Sequence, residues 1–223
     1  MTQLEALLEA DGLSAEVAAR LARYGRLVLD ANLRVNVTAA RSTEEIAGQI
    51  SDSLSVVRFV RAPYVDVGSG AGLPPIPVAI ASGVEPTMIE ATVKKARLLE
   101  AILLELHLRG TVVAARAEIA GHRPDLREHF ASGTCRAVGS PSAVVELLLP
   151  LIAVDGVAIL QRGVMGAGER AALEDASLVL GGRLEAEHEI GGNRRILVIR
   201  KRGPTPARFP RRTGVPAKRP LCE

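Results

Sequence analysis

Apolar residues recur every three or four positions through the first 30 residues, and this spacing predicts two amphipathic helices. Their apolar positions are Leu4, Leu7 and Leu8, then Val17, Leu21, Tyr24, Leu27 and Val28. Ser14 precedes the second group, where its side chain can cap a helix. After a loop over 32–41, Ser42 begins a third helix that is predicted to run toward Val60. Residues 1–60 are therefore predicted to form an N-terminal helical cap.

From Tyr64 onward, short apolar runs alternate with helical stretches. The predicted strands are 64–67, 87–89, 111–115, 157–161, 183–190 and 194–200, and the predicted helices are 73–81, 94–108, 142–152 and 169–180. Such alternation is typical of an α/β fold with a doubly wound, mostly parallel sheet. Gly191 and Gly192 are predicted to join the last two strands as an antiparallel hairpin. Residues 61–202 then form the core, and 203–223 form a basic, Pro-rich tail.

The composition is that of a globular chain, with 48% hydrophobic and 24% charged residues among 223. Aromatic residues make up only 2%, so few side chains could stack on nucleic-acid bases. The two cysteines and four histidines show no metal-ligand spacing, and the cysteines give no disulfide framework. No apolar run approaches the roughly 20 residues that span a bilayer, and the N-terminus lacks the pattern of a signal peptide. These features predict a cytoplasmic protein with no metal site and no membrane span.

Charge is distributed unevenly along the chain, whose net charge is +3. Residues 200–223 carry eight basic side chains against one acid, a charge of +7, while the rest of the chain carries −4. A basic tail favours an anionic partner. A solvated terminus that only aids solubility is at least as common an alternative.

A glycine-rich segment follows the first predicted strand. Asp66 ends that strand, and Gly68, Gly70 and Gly72 follow at alternate positions before a helix begins. Glycine allows positive φ and lets a ligand lie against bare backbone, while the N-terminus of the next helix favours a carboxylate. The spacing is one residue short of the dinucleotide pattern GxGxxG, so it favours S-adenosylmethionine over NAD.

Two further acids lie near the ends of the next two predicted strands. Glu90 is placed to accept hydrogen bonds from both ribose hydroxyls of a nucleoside cofactor. Glu118, which follows Ala117, could bind the adenine amino group. Each alone is more often a surface acid, but their order on consecutive strand ends supports a nucleoside-containing cofactor.

The chain resembles the RsmG (GidB) family, whose members methylate guanine N7 in the decoding region of 16S ribosomal RNA. The resemblance covers nearly the whole chain and rests on residues 36–39 (NVTA), 52–54 (DSL), 66–74 (DVGSGAGLP), 94–95 (KK), 116–118 (RAE), 136–138 (RAV), 146–150 (ELLLP), 210–216 (PRRTGVP) and 219–221 (RPL). The glycine segment is shared among many methyltransferases, and the other segments make the match specific. The resemblance implies a Rossmann-like class I methyltransferase fold with a terminal antiparallel strand and an N-terminal helical extension.

Residue roles follow from the glycine segment, the two acids and this resemblance. The expected cofactor contacts are Asp66, Gly68, Ser69, Gly70, Gly72, Leu73, Glu90, Ala91, Ala117, Glu118 and Arg136. Arg136, the candidate catalytic residue, would face both the methionine moiety of S-adenosylmethionine and the guanine, with a structural ion pair as an equal alternative. The expected RNA contacts are Asn36, Thr38, Arg162, Arg208, Arg211, Arg212, Lys218 and Arg219. The implied partner is 16S rRNA or the small ribosomal subunit, bound by a monomeric enzyme.

The chain also departs from the family pattern. Gly48 and Gln49 stand where a basic residue and His are usual, Pro75 stands where Gly is usual, and Arg162 replaces Lys. Residues 131–135 (ASGTC) make a poor strand. These departures leave other readings open: a methyltransferase for another substrate, a non-catalytic protein that binds S-adenosylmethionine or RNA, and, more distantly, an NAD-dependent enzyme.

Overall fold

The computed structural model describes residues 1–136 and 139–222, and its centre is one seven-stranded sheet in the order β3-β2-β1-β4-β5-β7-β6. The strands are β1 (Tyr64–Val67), β2 (Pro86–Ile89), β3 (Thr111–Val113), β4 (Phe130–Arg136), β5 (Ile152–Gly163), β6 (Gly182–Glu189) and β7 (Arg194–Lys201). Strands β1 to β5 pair in parallel, whereas β7 runs antiparallel to both of its neighbours, β5 and β6. The predicted fold class, a doubly wound and mostly parallel sheet, is confirmed. The last strand of the chain lies inside the sheet rather than at its edge.

Helices cover both faces of the sheet. They are α1 (Gln3–Ala10), α2 (Ala15–Asn32), α3 (Thr43–Leu54), α4 (Pro75–Ser82), α5 (Val93–Glu105), α6 (Ala117–Ala120), α7 (Pro141–Leu148), α8 (Ala167–Val179) and α9 (Val215–Lys218). Ser14 caps α2 as predicted, since its side chain accepts a hydrogen bond from the Val17 N–H. Helix α3 ends at Leu54, short of the predicted Val60. The chain there turns toward the sheet, where Arg61 exchanges two hydrogen bonds with the Ser132 hydroxyl.

Strand β4 occupies the middle of the sheet although its residues have poor strand propensity. The reason lies in its neighbours, because a Cβ at Gly133 would come within 2.7 Å of Ile152 and 2.8 Å of Leu148. Thr134, the next residue of the strand, donates a hydrogen bond from its hydroxyl to the Asp66 carboxylate. Small residues are therefore needed here for close packing, and the tertiary surroundings override the propensity.

The N-terminal helices pack against helices α4 and α5 through a shared apolar cluster. Leu8 and Leu21 lie in it with Ile76 of α4 and Leu99 of α5, and all four are fully buried. This packing brings α2 and the loop after it to the end of β1 where the glycine segment lies.

The C-terminal segment, residues 203–222, packs on the core. Phe209 and Pro216 are buried, and Arg127 donates hydrogen bonds to the carbonyls of Thr205 and Phe209. The alternative of a wholly solvated terminus is therefore wrong for these residues. In the part of the chain that the structure describes, no helix is both long and apolar enough to cross a membrane.

Candidate active site

The glycine segment forms a tight loop between β1 and α4. Gly68, Gly70 and Gly72 all have positive φ, of 74°, 55° and 92°. The loop is held to β2, since the Gly68 N–H donates to the Ile89 carbonyl over 2.9 Å. A Cβ at Gly72 would lie 2.5 Å from the Ile76 side chain, so the close approach of loop and helix also requires glycine there.

Glu90 ties the loop to the end of β2. Its Oε2 accepts the Gly70 N–H over 2.9 Å and its Oε1 accepts the Thr92 N–H over 2.7 Å. The side chain is almost fully buried. Glu90 therefore lies where the sequence predicted it, at a strand end beside the glycines, and it also orders the loop itself.

Asp66 lies beneath this loop in a buried hydrogen-bonded group. Its Oδ1 accepts from the Thr134 hydroxyl over 2.5 Å, and the Tyr64 hydroxyl lies 2.5 Å from the same Thr134 oxygen. Burial raises the pKa of Asp66 to about 7, although hydrogen bonds and the charge of Arg136 act to lower it. A cation placed above the loop would favour the ionised carboxylate.

The N-terminal helices contribute directly to the loop. The Tyr24 hydroxyl, fully buried on α2, donates to the Ala71 carbonyl over 3.0 Å. The sequence pattern identified Tyr24 only as an apolar position of a helix. Its polar end fixes a carbonyl in the middle of the glycine loop.

A cavity of about 330 Å³ lies over the loop and is called the cofactor cavity here. Its lining residues are Val37, Gly68, Ser69, Gly70, Ala71, Leu73, Glu90, Lys95 and Arg136. Six of these are sequence-predicted cofactor contacts, whereas the positions of Val37, Ala71 and Lys95 in the lining were not predicted. These groups fit S-adenosylmethionine: bare glycine backbone, the buried Glu90 carboxylate at a strand end and, outside the lining, the Asp66 carboxylate below the loop.

The remaining five predicted cofactor contacts lie outside the lining of this cavity. Two of them, Asp66 and Gly72, belong to the strand end and loop beneath it. Glu118 is buried, and its Oε1 accepts the Gly214 N–H of the C-terminal segment over 2.8 Å. Ala117 packs against the main apolar core, and Ala91 is exposed beside Glu90. The Glu118 carboxylate thus joins the candidate adenine end of the site to the C-terminal segment.

Arg136 lies at the carboxyl end of β4 and lines two cavities. One is the cofactor cavity. The second, called the arginine cavity here, has a volume of about 420 Å³ and is lined by Asp52, Arg136, Gln161, Arg162, Gly163, Val164, Met165, Glu169, Ile190, Arg194 and Arg195. Arg136 also forms an ion pair of 3.6 Å with Asp52, whose other oxygen pairs with Arg194 at 2.7 Å. Two alternatives were predicted for Arg136, a position facing cofactor and guanine or a structural ion pair. In the structure Arg136 both lines the cofactor cavity and forms an ion pair with Asp52.

The family model for rRNA small subunit methyltransferase G, GidB, matches residues 17–198. The chain belongs to this family. The ribosomal RNA small subunit methyltransferase G of Trichormus variabilis is 36% identical over 220 residues, which cover 91% of this chain and 90% of that protein. The protein of the same name from Chloroflexus aggregans is 38% identical over 219 residues, covering 94% of this chain and 92% of that protein.

Solved structures of other proteins share the fold. TYW2 of M. jannaschii in complex with AdoMet has a TM-score of 0.53 at 14% identity, covering 68% of this chain and 74% of that one. A variant of MtNAS in complex with S-adenosylmethionine has a TM-score of 0.54 at 16% identity, covering 83% and 73%. These likenesses confirm the fold. Membership of the GidB family confirms the predicted enzyme class and cofactor, a methyltransferase that uses S-adenosylmethionine.

The GidB segment 136–138 is described only at Arg136, because Ala137 and Val138 lie outside the described residues. In the segment 36–39, Asn36 is exposed, while the Thr38 hydroxyl donates to Gln49 Oε1 over 2.6 Å. Gln49, a departure from the family pattern, therefore orders the loop that carries these two predicted RNA contacts. Arg162 lines the arginine cavity and donates to the Gly139 carbonyl over 2.7 Å.

The five basic residues predicted to contact RNA in the C-terminal segment fall into two groups. Four have exposed side chains: Arg208, Arg212, Lys218 and Arg219. Arg211 instead turns inward to Glu146, which is fully buried, through contacts of 2.6–3.1 Å from its guanidinium. Its Nη2 also donates to the Arg219 carbonyl. The guanidinium of Arg211 is thus already engaged by a buried carboxylate.

Proposed function

We propose that this chain transfers a methyl group from S-adenosylmethionine to N7 of a guanosine in the decoding region of 16S rRNA. As a member of the rRNA small subunit methyltransferase G family, it is an rRNA methyltransferase; the atom and the region are the finer part of the proposal. The proposal rests on the position of Arg136, whose side chain lines both the cofactor cavity and the arginine cavity. Methyl transfer requires donor and acceptor to meet, and these two cavities meet at one side chain.

Different residues around the loop would bind the ribose, the adenine and the methionine moiety of the cofactor. Glu90 and Ala91 would hold the ribose and Glu118 and Ala117 the adenine, while Asp66, Gly68, Ser69, Gly70, Gly72 and Leu73 would hold the methionine moiety. The glycine loop brings backbone N–H groups to a carboxylate, and Asp66 offers negative charge to an ammonium or sulfonium. Lys95, which lines the same cavity, adds a donor for an anionic group.

When bound, S-adenosylmethionine supplies an electrophilic methyl group on a sulfonium. Guanine N7 carries a free lone pair, so no side chain has to remove a proton before the transfer. The protein then acts chiefly by aligning and desolvating the two reactants. Arg136 suits this task as a donor to guanine O6 that leaves N7 free.

RNA would be held by cationic and polar groups outside the reacting centre. The exposed residues Arg208, Arg212, Lys218 and Arg219 suit phosphate contacts. Arg162 lines the arginine cavity, and Asn36 and Thr38 flank Val37, which lines the cofactor cavity. Arg211 would contribute through the position of the C-terminal segment, since its guanidinium is paired with Glu146. The proposed setting is the cytoplasm, where a monomer acts on 16S rRNA or the small ribosomal subunit.

The test is methyl transfer in vitro from labelled S-adenosylmethionine to small ribosomal subunits from cells that lack this gene, with naked 16S rRNA alongside. The modified nucleotide is then mapped by mass and by chemical cleavage at N7-methylguanine. We expect a single N7-methylguanine in the decoding region with at least one of the two substrates. Methylation at another atom, or of neither substrate, would refute the proposal.

A further inference from the structure

Gln161, which lines the arginine cavity, has a buried side-chain oxygen for which the described residues provide no hydrogen-bond partner. Among the described residues, Gln161 Oε1 is the one buried side-chain nitrogen or oxygen without a hydrogen-bond partner. Gln161 lies on β5 and lines the arginine cavity. A buried acceptor without a partner is costly to the fold, so its retention calls for an explanation.

The hydrogen bonds of the Gln161 amide nitrogen, Nε2, fix the orientation of the side-chain amide. Its Nε2 donates to the Asp52 carbonyl over 2.8 Å and to the Ser55 hydroxyl over 3.3 Å. A flipped amide would place the oxygen against the Asp52 carbonyl, which can only accept. Oε1 therefore stays the end without a partner.

The sheet register places this acceptor next to a donor. Arg136 and Gln161 are direct partners across the parallel pair β4 and β5, so their side chains leave the sheet on the same face. Asp52, the nearby carboxylate, is less free to bind a ligand, because its two oxygens pair with Arg136 and Arg194. The cavity thus offers a neutral acceptor beside a cationic donor.

We propose that the arginine cavity takes the target guanine base and that Gln161 Oε1 accepts a hydrogen bond from its Watson–Crick edge. On that edge guanine carries an acceptor, O6, beside two donors, the N1–H and the exocyclic amino group. Adenine carries a donor followed by an acceptor at the equivalent positions, so the pair Arg136 and Gln161 matches guanine and mismatches adenine. The inference rests on the proposed function, since it names the residue that selects the base for that reaction.

Other features of the cavity suit an extruded nucleotide. Val164 and Ile190 offer apolar surface to the faces of a base, and Arg162, Arg194 and Arg195 offer cations to its phosphates. Enzymes that modify a base commonly take it out of the stack and read its Watson–Crick edge in a pocket. The volume of about 420 Å³ lies in the range of roughly 300–1,000 Å³ typical of small-molecule sites.

The experiment compares wild type, Gln161→Leu and Gln161→Glu. Leucine removes both the acceptor and the donor that anchors Asp52, whereas glutamate keeps an acceptor oxygen and loses the anchor. The substrates are reconstituted small subunits whose 16S rRNA carries guanosine or inosine at the target; inosine lacks only the exocyclic amino group. Each variant is checked by thermal unfolding and by its Kd for S-adenosylmethionine, and Gln161→Met replaces the leucine variant if that variant does not fold.

We expect Gln161→Leu to lower kcat/KM on the guanosine substrate by about 5- to 150-fold, the loss of one hydrogen bond in a desolvated site, with the cofactor Kd unchanged. Gln161→Glu should lose clearly less. A wild-type preference for guanosine over inosine that disappears in Gln161→Leu would identify the amino group as the partner, and equal losses on both substrates would identify N1–H. Wild-type kinetics in Gln161→Leu, or equal losses in the leucine and glutamate variants, would overturn the inference. Wild type that methylates no guanosine would instead refute the proposed function.

Discussion

Replacing Arg211 with alanine should destabilise the protein strongly, whereas replacing its neighbour Arg212 should not. The Arg211 guanidinium contacts both carboxylate oxygens of Glu146, whose side chain has 0% exposure. Alanine would leave that carboxylate buried without its cationic partner. The Arg212 side chain is exposed.

The size of the effect follows from the burial of the two partners. Breaking a buried ion pair from one side costs about 3–5 kcal/mol, because the remaining charge is uncompensated. Two features favour the lower end, about 3 kcal/mol. The Arg211 side chain is 26% exposed, and the Arg211 backbone N–H, which alanine keeps, still donates to Glu146 over 2.8 Å. For a chain of this length about 3 kcal/mol lowers Tm by roughly 6–12 °C.

Urea unfolding, followed by circular dichroism, measures the free energy of unfolding for wild type, Arg211→Ala and Arg212→Ala. We expect a change within about 0.5 kcal/mol for Arg212→Ala, as for most surface substitutions. The double variant Glu146→Leu with Arg211→Met should recover much of the loss, since it removes both charges together. Equal unfolding midpoints for the two single alanine variants would refute the assignment of Arg211 to a structural ion pair.

Three further predictions concern the cofactor loop. Since burial raises the pKa of Asp66 to about 7 from an ordinary 3.8, the folded state keeps a proton that the unfolded state releases between those values. The free energy of unfolding should therefore fall as pH rises from about 4 to 7, by up to about 4 kcal/mol from this group. In Asp66→Asn, urea unfolding at a series of pH values should show a smaller fall. The same dependence of the free energy of unfolding on pH in both proteins would contradict this prediction. Glu90→Ala should weaken S-adenosylmethionine binding by about 1–3 kcal/mol, measured by calorimetry. The loss should be smaller in Glu90→Gln, which still has an acceptor for the Gly70 N–H. An unchanged Kd in Glu90→Ala would mean that this carboxylate does not hold the cofactor. Tyr24→Phe should cost about 1–3 kcal/mol of stability because the Ala71 carbonyl loses a buried donor, and an unchanged midpoint would show that this hydrogen bond does not hold the loop.

Local patterns were enough to predict the loop between β1 and α4. Glycines at alternate positions after a short apolar strand need positive φ, and Gly68, Gly70 and Gly72 have it. Glu90 was predicted because strand ends in a parallel sheet meet at one edge. These inferences required only the first strand with its loop and helix, and the end of the next strand along the chain.

Other features depend on partners far away in the chain. Arg211 and Glu146 are 65 residues apart, and nothing in the sequence distinguishes Arg211 from the exposed Arg212 beside it. Strand β4 forms against its own propensity because β1 and β5 pair with it on both sides, and the side chains around Gly133 leave no room for a Cβ. The C-terminal segment had the composition of a solvated tail, but buried contacts hold it to the core.

The packing of the C-terminal segment on the core determines which variants can test its role in RNA binding. Deleting residues 203–223 would remove Phe209 from the core as well as the partner of Glu146, so lost RNA binding could reflect unfolding. Exposed residues such as Lys218 and Arg219 can be replaced singly without that effect.

The proposed reaction of this enzyme is the transfer of a methyl group to guanine N7 in the decoding region of 16S rRNA. The most direct measurement is to map N7-methylguanine in 16S rRNA from cells with the gene, without it, and with the Glu90→Ala variant in its place. We expect one N7-methylguanine in the decoding region that is absent without the gene and reduced with the variant. An unchanged pattern of N7-methylguanine in cells without the gene would contradict this expectation.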